Sequence, residues 1–302
     1  MRRVNFRLKF NAGWVLALIV LATPDHALVA ADPLCRASVQ ALAVNNQTVL
    51  NSKFTTDRDL DDYKFHFGDP FQEAIKKRVD GAIQTWIDLG AGHAIAMRDF
   101  LKHDQGTILH GAWKGVAVGV ELPKDEKFST DVVRIREKGG SDAFHYRTGF
   151  FADIPAAELP QADLITDYFG ALSYTHTLSS DLQRALTLLK PGGKLIVTMI
   201  PRSFGLRVRG EEVLFPDFVY QIAGVRLETQ LNEFGTPSYT IVRTEGPVRV
   251  PELVLTNMRN GKPPHQDFEL AESERGALGK ITTTNVADEH QRIIERYRAS
   301  DN

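Results

Sequence analysis

The chain has 302 residues, 43% of them hydrophobic and 25% charged, enough for one large α/β domain with appendages and unlike a disordered composition. A formal charge of −2 and a pI near 6.5 provide no global basic field of the kind that binds nucleic acid by neutralising phosphates, which leaves only local patches for that purpose. Cys35 is the single cysteine, so an intramolecular disulfide and a cysteine-based metal cluster are excluded, and the residue reads as a small apolar filler.

At the N-terminus, Arg2, Arg3, Arg7 and Lys9 appear with no acid, and the unbroken apolar run WVLALIVLA follows at residues 14–22. A basic start, a short apolar stretch and a small-residue end match a secretory signal, and the run is shorter than the roughly twenty residues a spanning helix needs. Residues 1–31 are therefore expected to be a signal peptide cleaved after Ala31, and the protein to be secreted or periplasmic. An uncleaved membrane anchor is the alternative; otherwise no membrane span is expected.

Residues 32–82 read as an N-terminal segment with lid or packing helices. Gly68-Asp69-Pro70 interrupts it, and FQEAIKKRV from Phe71 places Phe71, Ala74, Ile75 and Val79 on one helical face. From Ile83 strands and helices alternate. Strands are expected at residues 83–89, 115–122 (GVAVGVEL), 144–151, 162–168 (ADLITDY) and 194–200 (KLIVTMI), with helices at 94–102 and 180–189. Such apolar strands joined by helical connections predict a doubly wound, mostly parallel sheet covered by helices on both faces.

Beyond Pro201, residues 211–223 look helical around Pro216, and VRLETQL and YTIVRTE read as a C-terminal antiparallel hairpin. Residues 246–266, rich in Pro and Gly, look irregular, and residues 292–298 look helical. Residues 246–302 are thus expected to form an extension beyond a domain spanning 83–245.

The stretch TWIDLGAGHAIAMRDF, residues 85–100, is a strand, a glycine elbow and a helix. Gly90 and Gly92 remove side chains where the backbone turns towards a ligand, and the helix is expected to aim its N-terminal amides there. Ile95 occupies the position at which a dinucleotide fingerprint needs a small residue, whereas Gly90, Gly92 and Ala94 fit the shorter G-x-G-x-G/A form. No phosphate-binding Gly-Lys-Ser/Thr follows, and the histidines show no metal-ligand spacing.

With IDLGAGHA, the acid ending VGVEL, GFFADIP, ADLITDYFG and LLKPGGKLIVTMI in that order, residues 83–245 resemble the class I S-adenosylmethionine-dependent methyltransferase family. The resemblance implies a Rossmann-like methyltransferase fold and S-adenosylmethionine as cofactor. It also implies that Asp88, Gly90, Ala91 and Gly92 line the methionine end, that Glu121 meets the ribose hydroxyls with Leu122 beside it, and that Asp153 and Ile154 meet adenine. Capping of the following turn is the alternative for Asp153. Asp167 is implied beside the transferable methyl, and Asp167, Tyr168 and His176 are the catalytic candidates by position. His93 in the elbow is a further candidate.

DYFG replaces the Asn/Asp-Pro-Pro-aromatic run of enzymes that methylate base amino groups, so nucleic acid is disfavoured and the expected acceptor is a small molecule or a protein side chain. Two other readings stand beside this one. The signal peptide suggests a non-catalytic exported relative that acts by binding, and a doubly wound fold also serves NAD(P)-dependent oxidoreductases.

Overall fold

The computed structural model describes residues 57–104, 112–199, 204–231, 237–259 and 265–274. The leader, the segment at 32–56 with Cys35, the insertion at 105–111 and the expected helix at 292–298 lie outside the described residues.

Helix α1, Leu60–Lys76, opens on a capping box: the Asp59 carboxylate accepts from the Asp61 and Asp62 amides while Asp62 accepts from the Asp59 amide. Tyr63, Phe67, Phe71 and Ile75 recur every four residues and are all buried. Gly68 (φ 62°, ψ −150°) bends the helix ahead of Pro70, whose ring would clash with the preceding turn. The expected interruption is therefore a kink inside one aromatic stripe, and Val79 lies beyond the helix with 41% exposure.

Strand β1 (Ile83–Leu89), α2 (Ile95–His103), β2 (Ala112–Gly119), α3 (Glu126–Gly139), β3 (Phe144–Thr148), β4 (Ala162–Tyr168), α4 (Ala171–Tyr174), α5 (Leu178–Leu188) and β5 (Leu189–Thr198) follow. After them come β6 (Phe204–Val208), β7 (Glu211–Val213), α6 (Phe215–Val219), β8 (Val225–Leu231), β9 (Pro237–Arg243), β10 (Leu253–Arg259) and β11 (His265–Leu270). The main sheet has seven strands in the order β3-β2-β1-β4-β5-β9-β8. Strands β1 to β5 run parallel, and β9 enters antiparallel between β5 and β8.

Alternate residues of each strand feed two cores. Trp86, Ala117, Leu164 and Ile196 pack with α1 and α2, while Ile87, Val116, Ile165 and Val197 pack with α5 and α6. Burial on both faces is why these strands read as nearly continuous apolar runs. The strand order reverses at β1, with β2 on one side and β4 on the other, so the elbow sits where a doubly wound sheet opens a crevice.

Several expected boundaries move. β2 is paired residue by residue with β1, Ile83 to Ala112 through Leu89 to Val118, so it starts three residues earlier than expected and stops at Gly119. Pro191-Gly192-Gly193 lies within β5 as an irregularity in its register with β4, not as a turn before the strand. A β-carbon on Gly193 would lie 2.8 Å from the Lys190 carbonyl oxygen.

Residues 211–223 split into β7 and α6. The stretch expected to be irregular contains β10 and the start of β11, which join β6 and β7 in a second sheet ordered β10-β11-β6-β7. Helix α3 was not expected: Asp125 caps it by accepting from the Phe128 amide at 2.7 Å, and its buried face includes Asp131. Among the described residues no helix is long and apolar enough to cross a membrane.

Asp131 bonds Arg98 of α2 at 2.7 Å and Lys102 at 3.1 Å, and the Arg98 and Asp131 side chains are 2% and 6% exposed. Breaking a buried pair strands the remaining charge, so Asp131→Ala is expected to cost about 3–5 kcal/mol. Guanidinium unfolding of the variant against the parent measures this.

Candidate active site

At the exit of β1 the backbone turns through Gly90 (φ 73°) and Gly92 (φ 54°), both left-handed. A β-carbon on Gly90 would lie 2.5 Å from the Gly170 Cα, and one on Gly170 would lie 2.2 Å from the Leu89 carbonyl oxygen. The exits of β1 and β4 thus pack backbone on backbone and form a floor. Ala94 (φ 54°, ψ 36°) accepts the same left-handed geometry at the start of α2, at a cost of about 1 kcal/mol.

The amides at the elbow and the start of α2 do not simply face outward as expected. The His93 amide donates to the Asp57 carboxylate at 3.3 Å, and the Ala96 amide donates to the Arg58 carbonyl at 3.1 Å. Asp57 also lies 3.0 Å from the His93 ring, with Asp125 at 3.9 Å on the same nitrogen. The segment leading into α1 therefore caps this helix and puts carboxylates where a pyrophosphate would need donors. Arg98 holds the elbow from behind by donating to the His93 carbonyl at 3.1 Å.

The remaining cofactor candidates fall along one edge. Gly90, Glu121 and Asp153 are exposed, Ala91 and Gly92 are half-buried, and Leu122 is an apolar side chain 51% exposed. Ile154 is buried beneath. Glu121 does not end a strand as expected; it stands two residues past β2, in the open.

The Ala91 amide donates to Val118 O at 2.8 Å and the Gly149 amide to Gly119 O at 2.9 Å, which laces the three strand exits together. Arg184 of α5 donates to the carbonyls of Phe151 (2.6 Å), Ala152 (3.0 Å) and Ile154, and covers the Phe151 ring, so it shapes the loop bearing Asp153. The short 3-10 turn Ala156–Glu158 starts from Pro155 with no side-chain cap, so the capping alternative for Asp153 is not used.

The acids on the strands themselves lie below this edge. Asp88 is 1% exposed and accepts from the Tyr63 hydroxyl (2.8 Å) and the Thr166 hydroxyl (2.7 Å), and Thr166 in turn accepts from the Trp86 indole (2.8 Å). Burial raises its carboxyl to about 7 against the pull of those two bonds and of Arg58.

Asp167 is fully buried and accepts from the Gly170 amide at 2.6 Å and the Leu172 amide at 2.7 Å. Burial raises it too to about 7. Its expected places as a base and beside the methyl are corrected accordingly: it builds the turn that holds Phe169 at φ 49°.

Tyr168 lies under the Arg58 guanidinium, 3.9 Å from the ring centroid, and stacks 4.7 Å from both Phe169 and His66. Burial pushes its phenol up to about 12, which leaves it protonated and unsuited to the role of base. His176 is 6% exposed beyond the end of α4, and burial lowers its pKa. Of the three catalytic candidates, Tyr168 alone shares the aromatic cluster.

Arg58, Tyr63, His66 and Tyr146 escaped the sequence reading. Four-residue spacing of Tyr63, Phe67 and Phe71 could have placed Tyr63 on the core face of α1. Nothing in the sequence ties Arg58 to Tyr168, whose carbonyl accepts from its Nη1 at 3.1 Å.

A parallel sheet reversing at β1, an antiparallel strand inserted between β5 and β8, and a glycine elbow at the switch point define a Rossmann-like methyltransferase fold. Among the solved structures similar to the chain are methyltransferases. The aminoglycoside resistance methyltransferase NpmB1 is 26% identical over 43% of this chain, which spans 60% of NpmB1, with a TM-score of 0.31.

For the antibiotic-resistance methyltransferase Kmr the identity is 19%, the coverage 58% of this chain and 92% of that one, and the TM-score 0.38. For the precorrin-6y C5,15-methyltransferase from Geobacter metallireducens GS-15 the values are 14%, 58%, 84% and 0.30. No family model and no curated protein matches the chain.

Between the ordinary aspartate value of 3.8 and about 7, the folded protein keeps protons on Asp88 and Asp167 that the unfolded chain releases. Stability contributed by these groups is complete below about pH 4 and is lost as pH rises through about 7. The Asp88→Asn variant, neutral throughout, is expected to show a shallower fall in melting temperature between about pH 4.5 and 7.5. Thermal unfolding across that range checks it.

Proposed function

We propose that the chain is an exported S-adenosylmethionine-dependent methyltransferase acting on a small molecule or a protein side chain. The observation that carries this reading is the charge at the elbow. Asp57 already takes the His93 amide of the elbow, where a pyrophosphate would need a donor, and Asp125 stands beside it, with Glu121 exposed along the same edge. Such a site repels a dinucleotide and favours a ligand carrying an ammonium and a sulfonium. Export is supported by residues 1–31 alone.

The residues present fit that cofactor. Gly90, Ala91 and Gly92 offer bare backbone to its methionine end. Glu121 offers an exposed carboxylate to the ribose hydroxyls, and Leu122, Ile154 and Asp153 offer two apolar contacts and an acceptor to adenine. When bound, the cofactor supplies a methyl group already activated by positive sulfur, so the protein's main task is in-line placement of the acceptor.

An acceptor that arrives protonated needs a base. His66 on α1 packs on Tyr168 at the end of β4, and we assign it that role; burial lowers its pKa, which favours the proton-accepting form. A non-catalytic binding role is the second reading, favoured by the inaccessibility of Asp167, Tyr168 and His176.

Calorimetry with S-adenosylmethionine and S-adenosylhomocysteine tests the proposal. Both are expected to bind and reduced nicotinamide dinucleotides are not; folded protein that binds neither adenosyl compound ends it. Glu121→Gln is expected to weaken binding about tenfold, the loss of a charge-assisted hydrogen bond of roughly 1.5 kcal/mol. On an acceptor that needs deprotonation, His66→Asn is expected to slow turnover at least about 100-fold with cofactor affinity kept. Cofactor binding without methyl transfer across a broad acceptor panel would favour the second reading.

A further inference from the structure

We infer that the Tyr146 hydroxyl is a positioning group that buckles the glycine elbow to the exit of β2, so that the two ends of an adenosyl cofactor are held as one site. The inference rests on the methyltransferase reading. Tyr146 projects from β3, with its ring edge-on to Phe128 at 5.6 Å. Its hydroxyl lies 2.6 Å from the Gly92 carbonyl oxygen and 2.8 Å from the Glu121 carbonyl oxygen. Gly92 belongs to the methionine end and Glu121 to the ribose end, and one hydroxyl spans them.

Gly119 makes room for this contact. A β-carbon there would lie 1.9 Å from the Tyr146 oxygen, so any larger residue at the exit of β2 would expel the hydroxyl. A phenol has one proton and faces two carbonyls here, so the two share it in a three-centre bond and any movement of either loop changes the balance. Burial, reinforced by Asp88, Asp57 and Glu121, pushes its pKa up, which keeps that proton in place. Glu121 and Leu122 are both exposed, so packing does little to fix the main chain where their side chains depart. The shared hydroxyl sets its place relative to the elbow instead.

Tyr146→Phe keeps the ring and its packing and removes only the bridge. By calorimetry it is expected to weaken S-adenosylhomocysteine binding about three- to tenfold, the worth of one hydrogen bond, and to weaken binding of adenosine, which occupies only the ribose end, by less than about twofold. Equal losses for both ligands, as a general loosening would give, overturn the inference, as does an unchanged affinity for S-adenosylhomocysteine.

Hydrogen exchange on the wild-type protein gives a second measurement that needs no variant. Adenosine alone is expected to slow exchange at the amides of residues 90–93 as well as 120–123, and protection confined to 120–123 overturns the buckle. A wild-type protein that binds neither compound would instead remove the methyltransferase reading on which the buckle rests.

Discussion

The contact between Gly90 and Gly170 sets the geometry of the whole upper edge. Two adjacent parallel strands end in turns whose main chains touch, and neither position tolerates a β-carbon. Because the turns after β1 and β4 meet main chain to main chain, a ligand at the switch point would lie over them and not between them. Asp167 is part of the same construction. Its two oxygens take the amides of Gly170 and Leu172, and the turn they make brings Gly170 against the elbow while holding Phe169 in a conformation that side chains rarely adopt.

A polar layer lies beneath that floor, and its satisfaction explains why the site can be both charged and buried. The Asp88 carboxylate would be costly in a core of Trp86, Leu164 and Ile196 without partners, and it receives hydroxyls from a neighbouring strand and from α1. Tyr63 therefore links the helix that covers the sheet to the acid at the base of the elbow. The Arg98–Asp131 pair does the same between α2 and α3, and Arg98 spends a further donor on the elbow itself. The elbow is thus held from below and behind by groups that never meet the ligand.

How much of this was legible in the sequence depended on whether the determining partner was local. β1 and β4 carry the bounds their apolar runs suggested, and the VRLETQL run coincides with β8, because each sequence pattern reflects its own burial. The end of β2 is set by pairing with β1, so reading GVAVGVEL alone carried the strand past Gly119. Helix α3 was missed because one of its buried positions is an aspartate whose partners lie on another helix. The second sheet depends on β11 finding β6 far along the chain, which no local pattern records. In the site, the glycines were legible because their role is local backbone geometry. Asp167 misled because an acid after a strand can serve a ligand or tie its own turn, and only the positions of the Gly170 and Leu172 amides decide between them.

The same distinction bears on the choice of cofactor. Ile95 in place of a small residue was the sequence's argument against a dinucleotide, and it is an argument about space. The structure adds one about charge: Asp57 takes the His93 amide of the elbow and the Arg58 carbonyl takes the Ala96 amide of α2, from a segment with no recognisable motif, so two donors that a phosphate would use are occupied. Arg58 then turns its cation away from the elbow and onto Tyr168, so the charge nearest the His93 amide is the Asp57 carboxylate. Space and charge argue independently against the same ligand, and along the edge stand bare glycine backbone, an exposed carboxylate and an uncovered leucine. A cation joined to a ribose and an aromatic base satisfies all three.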